Sequence, residues 1–292
     1  MVAAVFRRTL SFPNSSLSRP SKPAKTYHVR SISLPCRPHP LISQLKEEIK
    51  ELRAWESKLG ERTSAWLCEG LSRLRTVHYS LDDILQLPQT QELLRRQPAA
   101  VEKLLEDFLG FVDLYGRFQT SVLALKEEQS AAQVAIRRRD ESKVALFVKA
   151  QKRMNKDMGK LVSTVRSTGR FPNGDGELIS IIRDVNQVTV LVSVALFNGV
   201  SSSWASRKFP WKGLRLSKTA KRVKVEECIQ EFQQVGIDIF WGLKKKGNEE
   251  VRIDLKRMQA LENCIRGIEL CSERVFRSLI NTRVSLLNIL TQ

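Results

Sequence analysis

The stretch VRIDLKRMQALENCIRGIELCSERVFRSLINTRVSLLNIL, residues 251–290, decides the fold. Apolar or small residues fall at Val251, Leu255, Met258, Leu261, Ile265, Ile268, Ser272, Val275, Leu279, Thr282, Leu286 and Ile289. The steps alternate between three and four, apart from consecutive threes at Met258 and Leu261, which is a heptad seam on one helix. Arg252, Lys256, Arg257, Glu262, Arg266, Glu269, Glu273, Arg274 and Arg277 occupy the other faces, and no proline interrupts the run. At 1.5 Å per residue the helix reaches roughly 60 Å, so its stripe can be buried only against other long helices. The seam is satisfied within the chain or by a second copy, and the oligomeric state stays open.

The same reading extends outward. Leu41, Leu45, Ile49, Leu52, Trp55 and Leu59 make a first amphipathic helix, and Leu67, Leu71, Leu74, His78, Leu81 and Leu85 a second. Pro88 stops the second, and Pro98 suits the first turn of a later one. A long stripe from Val101 to Leu125 and another from Val144 to Val165 follow. TGRFPNGDG, residues 168–176, is turn chemistry, with Asp175 or a neighbour as the cap of what comes next. Val185–Ser206 carries no charge; its β-branched residues also suit a strand, but a solitary strand has no partner, so a buried helix is expected. It is long enough to cross a bilayer, although Asn186, Gln187, Thr189, Asn198 and five serines dilute it. A seventh helix is expected at about Lys218–Lys245. These segments predict an all-α, elongated antiparallel bundle of five to seven helices with coiled-coil-like packing over 41–292. Residues 168–176 and 204–225 are insertions in it, and 1–40 is a disordered basic tail.

The net charge of +18 is concentrated in two places. Residues 1–46 hold eight Lys/Arg and no acid, and residues 204–225 hold another eight and no acid, so the helical remainder is nearly neutral. This is the layout of interaction tails and loops. The cysteines, at 36, 68, 228, 264 and 271, are odd in number and lack CxxC spacing, which argues against a disulfide framework or zinc site and for a reducing compartment. No apolar secretory core follows Met1. The histidines are His28, His39 and His78, and His78 lies on an apolar stripe as a core residue. Asp82 and Asp83 read as a solvated helix face, and Cys264 with Cys271 as core packing. There is no GxSxG, HExxH, Walker loop or GxGxxG. The expectation is a non-enzymatic protein with no catalytic, cofactor-binding or metal residues and no cofactor.

The tail carries the sharper signal. Arg8-Thr9-Leu10-Ser11-Phe12-Pro13 and Arg30-Ser31-Ile32-Ser33-Leu34-Pro35 share the pattern Arg-Ser/Thr-x-Ser-x-Pro. The second resembles, position for position, the phosphoserine motif read by 14-3-3 proteins; the first departs at Thr9. Phosphate on Ser11 or Ser33 adds about −1.5 to −2 charge for an arginine cluster to grip. Two sites on one tether can engage both grooves of a 14-3-3 dimer. The loop supplies a second surface: Trp204, Arg207, Lys208, Phe209, Trp211, Lys212, Arg215, Lys218, Lys221, Arg222 and Lys224 interleave aromatic rings with cations. That mixture suits an anionic membrane surface, and nucleic acid ranks below it. The expected location is cytoplasmic, with membrane association through the loop. The alternative is the chloroplast, because an Arg- and Ser-rich, acid-poor N-terminus has transit-peptide composition.

YHVRSISLPCRPHP (27–40), LDDILQLPQTQ (81–91) and LENCIRGIELCSERVFRSLINTRVSLLNIL (261–290) together resemble the plant-specific Bypass-related family, catalogued as domain of unknown function 241. The resemblance covers about Tyr27 to the C-terminus; residues 1–26 and Trp204–Arg215 carry no part of it. It implies a land-plant source, an α-helical protein without assigned enzymatic activity, and a role in root and shoot development through restraint of a root-derived mobile signal. It implies no catalytic residues. It also implies that any cleaved presequence ends before Tyr27.

Overall fold

The computed structural model describes residues 39–58, 60–168, 176–201, 228–235, 239 and 242–291. All of them belong to the unit Pro38–Gln292. Among them are eight helices and no strand: α1 Pro40–Ser57, α2 Ser64–Leu85, α3 Pro88–Arg95, α4 Pro98–Arg138, α5 Glu141–Ser167, α6 Glu177–Gly199, α7 Gln230–Gln234 and α8 Asn248–Thr291. Six are long, within the five to seven expected; α3 and α7 are short. The fold is all-α.

Local chemistry sets the boundaries. Pro40, Pro88 and Pro98 each open a helix at the position where the missing N–H costs nothing. The Thr63 and Asp140 side chains cap α2 and α5 by accepting from the Trp66 and Ser142 amides. Arg139, with φ of 55°, is in the left-handed region and reverses the chain between α4 and α5. Gly176, at φ 127°, precedes α6 without a side-chain cap, a conformation only glycine adopts easily. Asp175 lies outside the described residues.

The packing follows from the stripes. Neighbouring helices run α2–α6–α5–α4–α8 and back to α2, with α1 laid over α2 and α6. The ion pairs Lys46–Glu177 and Arg53–Asp184, both 2.6 Å, share one sequence offset, so α1 and α6 are parallel. Thr189 meets His78 and Gly199 meets Leu67, so α6 is antiparallel to α2. Cys68 lies against Gly267 and Gln86 bonds Ser285, so α2 and α8 are parallel neighbours. One continuous core runs through all of them. On α8 the seam is buried as expected from Met258 to Ile289, and Val251 and Leu255 are partly buried. Near one end, Gly70 admits the Trp55 ring, which a Cβ there would meet at 2.2 Å. Trp55 stacks on Trp66 at 4.3 Å and donates to its carbonyl.

Three local expectations need correction. The uncharged run that begins at Val185 is helical only as far as Gly199; α6 starts at Glu177, directly after the 168–176 turn as expected. The long seventh helix is absent where the chain is described: α7 spans five residues, and Gly242, at φ 67°, ends any helical path toward α8. α7 is instead pinned at its start, by Ile229 N to Gly199 O (3.0 Å) and Gln230 N to Arg62 O (2.9 Å). Glu231 then accepts from Ser64 N at 2.9 Å, placing a carboxylate at the positive start of α2. Third, Asp82 is not on a solvated face. It is half-buried beside Ser285 of α8, and burial raises its carboxyl above the usual range.

Candidate functional site

The site residues named from sequence all lie outside the described residues. These are Arg8, Ser11, Pro13, Arg30, Ser31, Ser33 and Pro35 in the tail, and the loop from Trp204 to Lys224. The described body contributes three other constellations.

The first is a polar seam inside the ring of helices. α2 provides His78, α4 provides Asp107 and Tyr115, and α6 provides Asn186, Thr189 and Ser193. All six are buried. Thr189 Oγ1 donates to Val185 O at 2.8 Å, so toward His78 Nε2, at 3.2 Å, it can only accept. His78 therefore carries its proton on Nε2, and Nδ1 has no hydrogen-bond partner among the described residues. Burial lowers its pKa to about 3, so the ring is neutral at physiological pH. Ser193 donates to Thr189 O at 2.7 Å and lies 3.3 Å from the Tyr115 hydroxyl, which burial holds in its protonated form. Asn186 Nδ2 donates to Asp107 Oδ2 at 3.4 Å, and Lys103 meets the other carboxylate oxygen at 3.2 Å. The seam cross-links α2, α4 and α6 in one register. His78 was legible as a core histidine; its partner Thr189 was not, because it sits 111 residues away, on α6.

The second is a group of thiols between α2 and α8. Cys264 and Cys271 share a face of α8, as their spacing requires, and α2 brings Cys68 against them. Burial pushes the Cys264 thiol up to about 12, with Glu231 adding to it. Cys271 goes the other way, to about 7: a hydrogen bond from Cys68 stabilises its thiolate, and Arg274 and Arg75 assist. Among the described residues no three His, Cys, Asp or Glu side chains gather to hold a metal ion.

The third is an open groove of about 370 Å³ over the outer stripe of α6. Val190, Leu191 and Val194 form its floor, and Glu56, Arg62 and Arg166 stand at its rim. Arg62 is held there by the Trp66 ring at 5.0 Å and by Glu56 at 3.7 Å. By length and composition α6 could cross a membrane, yet here its other faces pack on α1, α2 and α5.

No curated protein and no solved structure matches the chain. A family model described as Protein BPS1 matches residues 70–289, which takes in most of α2 and nearly all of α8. Leu81–Gln91 and all but the last residue of Leu261–Leu290 fall inside it, whereas Tyr27–Pro40 falls before it. With three quarters of its length under that match, the chain belongs to the Bypass-related family of Protein BPS1.

Proposed function

We propose that this protein is a non-enzymatic scaffold or regulator in root and shoot development whose partner binding is gated by phosphorylation of its N-terminal tail. The observation that carries the reading is the doubled Arg-Ser/Thr-x-Ser-x-Pro pattern in a tail without acid before Glu47. In each copy the upstream arginine recruits a basophilic kinase. The phosphate adds charge-assisted acceptors, and the proline turns the chain out of the reading groove. The partner is a 14-3-3 dimer, which holds Ser11 and Ser33 together and gains avidity from their shared tether. Family membership supports the developmental setting, and the closed polar seam, with five of its six side chains fully buried, supports a structural rather than catalytic body. The test titrates singly and doubly phosphorylated tail peptides against a 14-3-3 dimer. The doubly modified peptide should bind at least tenfold more tightly than either single one. No gain over the unmodified peptide ends the proposal.

A second reading has its own observation. The loop 204–225 places Trp204, Phe209 and Trp211 among eight cations, at the end of the uncharged run Val185–Ser206. Aromatic rings at headgroup level, with about 1 kcal/mol from each nearby cation, would hold the body on an anionic membrane. Flotation with vesicles containing phosphatidylserine, but not with neutral ones, is the expected result. Equal recovery with both vesicle types removes this reading.

A further inference from the structure

We propose that Cys271 is a peroxide-reactive thiol and Cys68 its resolving partner, so that oxidation clamps α2 to α8 through a reversible disulfide. Three features of the packing carry this. Cys68 stands on α2 and Cys271 on α8, parallel neighbours that meet at Gly267, one turn before Cys271. The Cys68 sulfur lies 3.9 Å from where a Cβ on Gly267 would stand, an ordinary contact distance that seats it against α8. The two thiols are close enough across that contact to influence each other's ionisation, yet none of the four described cysteines is in a disulfide. Both are partly exposed, whereas Cys264 and Cys228 are buried.

The electrostatics assign the roles. Cys68 and the charges of Arg274 and Arg75 favour the ionised form of Cys271, so Cys271 holds the thiolate and Cys68 the proton. Cys264, buried beside Glu231, stays protonated and inert. The Cys271 thiolate attacks one peroxide oxygen; the S–O bond forms, the O–O bond breaks, and the departing hydroxide takes a proton to become water. Cys68 then attacks the sulfenic sulfur. The S–S bond forms, the S–O bond breaks, and hydroxide leaves with the Cys68 proton as a second water. Two thiols lose two electrons and two protons, and one hydrogen peroxide becomes two waters.

The experiment treats the reduced full-length protein with hydrogen peroxide, blocks remaining thiols with iodoacetamide and maps the non-reduced digest. The expected product is a peptide joining Cys68 to Cys271, lost on dithiothreitol treatment, with Cys228 and Cys264 recovered as thiols after unfolding. Before oxidation, Cys271 should be labelled with a midpoint near pH 7, and at that pH more than about tenfold faster than Cys264. In Cys68→Ser, dimedone should trap a sulfenic acid on Cys271; Cys264→Ser should form the link unchanged. The urea midpoint of the wild-type chain should rise on oxidation and fall back with dithiothreitol. Recovery of Cys68 and Cys271 as labelled thiols after peroxide, or a bond to Cys36 in place of theirs, overturns the proposal. An unchanged or lowered urea midpoint overturns the clamp. The mapping uses the wild-type chain, so it stands whether or not a variant folds.

Discussion

α6 and α8 are both core helices, and they are buried in different ways. α8 presents a stripe: Met258, Leu261, Ile265, Ile268, Val275, Leu279, Leu286 and Ile289 face inward, while Arg266, Glu273, Arg277 and Leu270 face water. α6 has no comparably wet face over its second half: from Val188 to Gly199 every residue is buried or half-buried. Their hydroxyls differ accordingly. On α8, Ser272, Ser278 and Thr282 return their protons to carbonyls of their own helix. On α6, Thr189 and Ser193 do the same, but their oxygens also meet His78 of α2 and Tyr115 of α4. A helix ringed on most sides cannot send its polar groups to solvent, so it sends them to its neighbours. α8 contributes area, and α6 contributes area and register.

The largest effect that tests this contrast is at Phe197. Its ring is fully buried on α6, 6.2 Å from Tyr115 and 5.6 Å from Phe118 between centroids. Phe197→Ala should cost about 3–5 kcal/mol, measured by urea unfolding, because transfer energy is lost and a cavity stays open. A cost below about 1 kcal/mol would mean that α6 is not the centre it appears from its burial.

The polar half of the contrast is tested by pH. His78 has a folded pKa of about 3, below the unfolded value of about 6.5. Its depressed value makes the native state the poorer proton binder, so the contribution to stability is complete above pH 6.5 and is lost as pH falls toward 3. Between pH 6.5 and 5 the loss should be about 2 kcal/mol. His78→Leu should flatten that slope by the same amount in parallel urea titrations. An identical slope in both proteins would show that the ring is hydrated in the folded state. Thr189→Val tests the same contact at lower cost. It strands the His78 Nε2–H and should destabilise by about 1–2 kcal/mol. His78→Leu combined with Thr189→Val should cost less than the two singly, since neither partner is then left unpaired.

The same contrast explains what the sequence made legible. α8 could be read almost residue by residue, because a half-buried helix writes its environment as a period: seven residues, two turns, one stripe. The prolines at 88 and 98 and the turn at 168–176 marked the boundaries for equally local reasons. α6 gave a weaker signal. A helix covered on several sides has no period to show, so Val185–Ser206 read as an uncharged run whose end ran past that of α6. The seam was less legible still. Asp107, Asn186 and Tyr115 become partners only when α2, α4 and α6 meet, and residues 79 apart announce nothing to one another in one sequence. Asp82 was misread for the same reason, since Ser285 reaches it from the far end of the chain. Cys264 and Cys271 were legible as one face, but not Cys68, which belongs to another helix.

The smallest effect is expected on the outer side of α8. Leu270 is 48% exposed, in the same helical turn as buried Ile268 and Ser272. If α8 contributes through its stripe alone, Leu270→Ala removes little transfer energy and opens no cavity, because water already reaches the side chain. The change should stay within about 0.5 kcal/mol, against about 2–5 kcal/mol for Leu279→Ala on the buried side. The two substitutions delete the same atoms from the same helix, so propensity and chain entropy cancel between them. What remains is the difference between the wet and dry faces, which α6 by its packing does not have. A cost of about 2 kcal/mol at Leu270 would instead show that this face is covered in solution. Light scattering on the wild-type protein would then say whether a second copy covers it.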